Sequence, residues 1–196
     1  MAKQAQKYPE RHMLCLHGCN QTQSAFESYM KQFVKIALQH NIKCHFLEGM
    51  YDHPKGGKTW FKKPLDLEDI GVQKYDDPDL DTRTTLDQIH KAITENNCTL
   101  LLGFSQGGNV ADTYVTYHEN NPIEKLVVFS GYSLVDDKRK DNEKVSIINV
   151  TSDSDEVVKA NLMPIQYVNK EHFPHDKGHK IPGSEICRKI LDSLVK

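Results

Sequence analysis

The chain has 196 residues, 38% of them apolar, and a formal charge of −2 from 25 basic and 27 acidic side chains. That suits one domain around one core, and dispersed, nearly balanced charge argues against a nucleic-acid footprint. No apolar run reaches membrane-span length, and the opening MAKQAQKYPERH lacks the apolar stretch of a secretory leader.

Along the chain, short apolar runs alternate with amphipathic stretches. HMLCLH (12–17), KCHFLE (43–48), TLLLGF (99–104), KLVVFS (125–130), KVSIINV (144–150) and PIQYV (164–168) read as strands. Several are apolar at consecutive positions, as expected for strands covered on both faces of a parallel sheet. Between them, Ser24 and Glu27 suggest a capping box. Phe26, Met30, Phe33, Val34 and Ala37 follow at helical spacing. Leu86, Ile89 and Ile93 mark a second helix, and Val110, Tyr114 and Tyr117 a third. Ile186, Ile190, Leu191 and Leu194 mark the last. This alternation predicts a doubly wound α/β domain. Residues 52–80 break it with prolines, glycines and charges around Trp60 and Phe61. So long a connection in a compact domain is expected to be an excursion near the mouth of a site. Within it, Gly57-Lys58-Thr59 resembles the end of a phosphate-binding loop. Asp52 stands where the pattern needs glycine, so nucleotide binding is rejected.

Gly103-Phe104-Ser105-Gln106-Gly107-Gly108 fits G-x-S-x-G, with an apolar strand before it and an amphipathic helix after it. The sharp strand-to-helix turn strains the serine backbone and leaves no room for neighbouring side chains, which accounts for Gly103 and Gly107. It also sets Ser105 at a helix N-terminus, where free N–H groups favour developing negative charge. A nucleophilic serine of this kind needs an acid and then a histidine further along the chain. KVSIINV runs into Thr151-Ser152-Asp153-Ser154-Asp155-Glu156-Val157-Val158. Asp155 is the preferred acid, because Val157 and Val158 would pin the following turn into the core. Asp153 is the alternative, and either could simply cap a helix. His172, His175 and His179 follow, and His179, between Gly178 and Pro182 before the last helix, is the expected base. The three histidines match no metal-ligand spacing, so no metal or other cofactor is expected.

Acyl transfer also needs two backbone N–H groups aimed at the oxyanion. Gln106, after the nucleophile, would give one, and Cys19, in the Leu16-His17-Gly18-Cys19-Asn20-Gln21 segment, the other. A redox-sensitive role is the alternative for Cys19. The five cysteines, at 15, 19, 44, 98 and 187, form no C-x-x-C pair, and reduced thiols in a cytoplasmic protein are expected. Two glycosylation-like triplets, at Asn97 and Asn149, are then chance matches.

LCLHGCNQ, FLEGMY, KTWF, LLGFSQGGNVA, VVFSGY, VTSDSDEVV and HDKGHKIP together resemble the FSH-type family of serine hydrolases, over roughly residues 12–195. The resemblance implies an α/β-hydrolase fold with a mostly parallel sheet of about six strands and little or no lid. It implies an esterase or thioesterase related to acyl-protein thioesterases, acting on a small-molecule acyl substrate. It assigns the nucleophile to Ser105, the acid to Asp155 and the base to His179, and supports Cys19 and Gln106 as oxyanion donors. The chain departs from the family at Glu48-Gly49-Met50, where Asp-Ala-Pro is usual, and at Ser152, where glycine is usual. Met50, Trp60 and Phe61 are candidates for an apolar acyl slot, or for packing at the core edge. A ligand-binding protein on the same fold is the main competing function. A peptidase or lipase is disfavoured in a short chain without a visible lid helix.

Overall fold

Six strands lie side by side and all parallel: β1 (Arg11–Leu16), β2 (Ile42–Leu47), β5 (Leu100–Phe104), β6 (Lys125–Phe129), β7 (Ser146–Ser152) and β8 (Lys170–His175). Their spatial order is β2-β1-β5-β6-β7-β8. The computed structural model describes residues 8–62, 80–118, 120–132, 144–158 and 169–196. The strand expected at 164–168 and residues 63–79 of the excursion lie outside them.

The central strands β5 and β6 are buried almost end to end, which is why their sequences run apolar without alternation. Alternate residues feed two cores. Leu14, Leu16, Leu101, Leu126 and Val128 face α3 (Leu80–Glu95) and α4 (Gln106–Tyr117), meeting Leu86, Ile89, Val110 and Tyr114. Met13, Cys15, Leu102, Val127 and Phe129 face the other way. There they meet Phe26 of α1 (Gln23–Tyr29), Phe33 and Ile36 of α2 (Lys31–Gln39), and Ile190 and Leu194 of α5 (Ser184–Leu194). Each such side chain, once fully buried, contributes about 1.5–3 kcal/mol.

Two local expectations change. The stripe from Phe26 to Ala37 belongs to two helices that break at Met30. The first is capped by Thr22, whose hydroxyl accepts from the Ala25 N–H, so Ser24 lies inside the helix and is not its cap. Among the described residues the last strand of the sheet is KEHFPH, mostly exposed at the sheet edge, where little apolar patterning is required.

Residues 51–59 form a small hairpin, β3 (Tyr51–Asp52) against β4 (Lys58–Thr59). It folds back onto the loop after β1: Asn20 N–H donates to the Lys58 carbonyl at 2.9 Å, and Lys58 N–H to the Gln21 carbonyl at 3.0 Å. Lys58 and Thr59 are thus strand residues held by the first-strand loop.

Candidate active site

Because the sheet is parallel, β1, β5, β7 and β8 all end at the same edge, and the segments leaving them carry Cys19, Ser105, Gln106, Asp155 and His179. β5 ends at Phe104 and α4 begins at Gln106, with Ser105 alone making the turn at φ 53°, ψ −119°. That is left-handed backbone, strained for a serine. The turn is tied on both sides: Ser105 N–H donates to the Phe129 carbonyl at 2.9 Å, and the Ser105 carbonyl accepts from Gly108 and Asn109 N–H at 2.9 and 3.2 Å. A Cβ on Gly103 would stand 2.2 Å from the Gly107 carbonyl oxygen, and one on Gly107 2.3 Å from that of Leu16. The additional glycine has a separate cause, since a Cβ on Gly108 would stand 2.8 Å from Val128 in β6. Ser105 caps the helix without using its side chain, so the hydroxyl is not spent on the helix end. First-turn N–H groups such as that of Gln106 have no acceptor within the helix.

The acid and base candidates meet. His179 Nδ1–H donates to Asp155, at 2.8 Å to Oδ2 and 3.1 Å to Oδ1. Asp155 Oδ1 also accepts the N–H groups of Val157 and Val158, each at 2.8 Å. Asp155 is therefore both the cap of its own turn and the partner of the imidazole. Burial works against its charge, but the Val158 N–H, the His179 ring and the Val157 N–H outweigh it and hold the carboxyl below the usual carboxylate range. Asp153 is exposed and takes no part. The His179 ring lies 5.0 Å from the ring of Phe104, the residue before the nucleophile candidate.

Two contacts hold the base loop. Gly178 adopts φ 64°, and its N–H donates to the Ser152 hydroxyl at 3.1 Å. Ser152, the departure from the family pattern, thus ties the segment that carries Asp155 to the one that carries His179. Ile181 N–H donates to the Tyr29 hydroxyl at 3.0 Å. The other two histidines are used locally: His172 pairs with the Thr151 hydroxyl at 2.7 Å, and His175 accepts the Lys177 N–H at 3.1 Å. Among the described residues no group of three or more potential metal ligands occurs.

The loop after β1 is built around His17, which is fully buried. Its Nε2 accepts the Gly49 N–H at 2.9 Å, so the proton resides on Nδ1 and is donated to the Gly18 carbonyl at 2.7 Å. Burial lowers the pKa of the ring, which keeps it neutral. Gly49 is a close-packing residue: a Cβ there would stand 2.8 Å from the Thr59 carbonyl oxygen. Gly18 N–H donates to Gln21 Oε1 at 2.8 Å, and Asn20 takes φ 62°, which turns the chain at Cys19. Burial pushes the Cys19 thiol up, which favours its protonated form.

The three slot candidates separate. Trp60 is 0% exposed, with its indole N–H donating to the His17 carbonyl at 2.7 Å and its ring 4.8 Å from that of His17. Phe61 is buried in the same core, while Met50 is 39% exposed. Sequence reasoning missed Thr59 and the side chain of Gln106. The Gln106 amide oxygen accepts from the Thr59 hydroxyl at 2.8 Å and the Trp60 N–H at 3.1 Å. No local pattern marks a contact between residues so far apart in the chain.

Comparison with solved structures shows the same architecture. A SOBER1 structure from Arabidopsis thaliana superposes with a TM-score of 0.70 at 18% identity, covering 94% of this chain and 97% of that one. A carboxylesterase from Mesorhizobium loti gives 0.68 at 13% identity, covering 94% and 88%. Zea mays acyl-protein thioesterase 2 gives 0.67 at 16% identity, covering 98% and 95%. Identities this low speak for the α/β-hydrolase fold alone. None of the curated proteins compared matches the chain. The family model described as serine hydrolase (FSH1) matches residues 7–189. With nearly the whole sequence spanned by that match, the chain belongs to the serine hydrolase (FSH1) family.

Proposed function

We propose that the chain is an esterase that cleaves carboxylic esters or thioesters through an acyl-Ser105 intermediate. The observation that carries this reading is the 2.8 Å pair between His179 and the buried Asp155, whose imidazole packs on the residue before the strained serine. The neutral His179 Nε2 accepts the Ser105 proton as the hydroxyl attacks the acyl carbon, and Asp155 stabilises the imidazolium that results. The backbone N–H groups of Cys19 and Gln106 receive the developing oxyanion. Collapse expels the alcohol or thiol, protonated by His179, and a water activated by the same ring then releases the acid.

Met50, exposed beside the hairpin, is the candidate for contact with the acyl chain, while Trp60 and Phe61 are buried in the core. The reading treats residues 1–196 as one domain, needs no metal or cofactor, and takes a small acyl ester or thioester as its partner. Five free cysteines suit a reducing, cytoplasmic setting. No helix among the described residues is long and apolar enough to cross a membrane.

A fluorophosphonate probe and a p-nitrophenyl ester series from acetate to palmitate test this. The expected result is labelling and turnover in the wild type and neither in Ser105→Ala, with apolar acyl chains preferred. A folded wild type that does not react would favour the ligand-binding alternative, and a sharp preference for acetate would contradict the acyl-slot assignment.

A further inference from the structure

The two N–H groups assigned to the oxyanion lie far apart in the chain, and one short strand links the segments that carry both. Thr59, in β4, is fully buried. The Trp60 N–H can only donate, and it lies 3.1 Å from the terminal amide of Gln106, so the atom facing it is the amide oxygen. The Thr59 hydroxyl lies 2.8 Å from that same oxygen and must spend its single hydrogen there.

The surrounding backbone fastens the same pieces. Both bonds between the hairpin and the Asn20–Gln21 segment are made by Lys58, the residue before Thr59, and the indole of Trp60, the residue after it, holds the His17 carbonyl. From behind, the Thr85 hydroxyl of α3 donates to the Trp60 carbonyl at 2.9 Å. The Thr59 hydroxyl therefore bonds Gln106, while the residues on either side of Thr59 hold the turn that carries Cys19.

We propose that Thr59 is a positioning residue for the oxyanion site, fixing the Gln106 backbone against the Cys19 turn by bonding the Gln106 amide from a strand whose neighbouring residues hold that turn. The inference rests on the esterase reading above. A developing oxyanion needs both donors at about 2.7–3.1 Å, so a small drift of either weakens transition-state binding more than substrate binding. Thr59 touches no substrate, and its effect falls on kcat.

The test compares Thr59→Val, which keeps the shape and removes the hydroxyl, with Thr59→Ser, which keeps the hydroxyl. Expected for Thr59→Val is a fall in kcat of about 10- to 100-fold with KM little changed, below the loss of about 10²- to 10³-fold when a donor is removed outright. Fluorophosphonate labelling should slow in parallel, and Thr59→Ser should recover most of the rate. Gln106→Leu keeps the backbone N–H but not the amide, so adding Thr59→Val to it should cost little more. An unchanged kcat in a folded Thr59→Val would overturn the proposal. So would independent, additive effects of the two substitutions, or a rate loss matched by the loss of folded protein in thermal unfolding. Failure of the wild type to label would overturn the esterase reading itself. Labelling that is normal in wild type and equal in Thr59→Val would remove only the role of Thr59.

Discussion

Asp155→Asn should abolish nearly all turnover while leaving the fold in place. Asp155 Oδ1 accepts two backbone N–H groups at 2.8 Å. An asparagine can keep both only by holding its oxygen there, because the opposite flip would set an NH₂ group against two donors and forfeit about 1 kcal/mol per bond. The NH₂ must then face His179 Nδ1, which now donates to Asp155 Oδ2 at 2.8 Å. Two donors cannot pair, so the imidazole moves its proton to Nε2 and can no longer accept one from Ser105. In a serine triad this loss is worth about 10⁴ in kcat, or about 5.4 kcal/mol. Initial rates on a p-nitrophenyl ester, beside circular-dichroism melting, measure both effects. The sign of the acid response follows from the lowered Asp155 pKa. A carboxyl held below its unfolded value of about 3.9 stabilises the fold above that pH, and the contribution disappears as pH falls through the folded value. The stability gap between wild type and Asp155→Asn at neutral pH should therefore close below about pH 4. A well-folded variant that loses less than about tenfold in kcat would refute the tautomer reasoning.

Two further substitutions probe the scaffold. Gly107→Ala places a methyl 2.3 Å from the Leu16 carbonyl oxygen and 2.5 Å from that of His17, both backbone atoms. It should cost about 1–3 kcal/mol in urea unfolding together with most of the activity, whereas Gly183→Ala, whose Cβ meets open space, should leave the rate unchanged. His17→Gln should lower the melting temperature at pH 7 and weaken its fall between pH 7 and pH 5. A histidine whose pKa is lowered by burial stabilises above its unfolded value of about 6.5 and opposes folding as pH drops below it. An unaltered pH slope in that variant would mean that His17 protonates without disturbing the loop.

What was legible in the sequence follows burial. β5 and β6 are apolar throughout because both faces are covered, and such runs can be read without knowing their neighbours. β8 is an exposed edge strand ending near Pro174, so its pattern carries little signal. Asp155 could be preferred over Asp153 because Val157 and Val158 suggest a pinned turn. In the structure only Val158 is buried, and the larger effect is that both valine N–H groups bond the carboxylate. Trp60 is a candidate for the acyl slot or for packing at the core edge, and its indole N–H is spent on the His17 carbonyl. That contact, like those of Thr59 and Ser152, joins segments whose proximity only the folded sheet creates.

The hairpin at residues 51–59 constrains how this protein could be re-engineered. In many parallel-sheet scaffolds the segments at the strand ends can be exchanged while the sheet stays as it is, and new specificities arise by swapping them. Here the stretch Lys58–Trp60 is braced to the start of α4 and to the turn after β1 by side-chain and main-chain bonds at once. A library aimed at new substrates should therefore diversify around Met50 and hold those three residues constant, since altering them would retune the chemistry along with the fit.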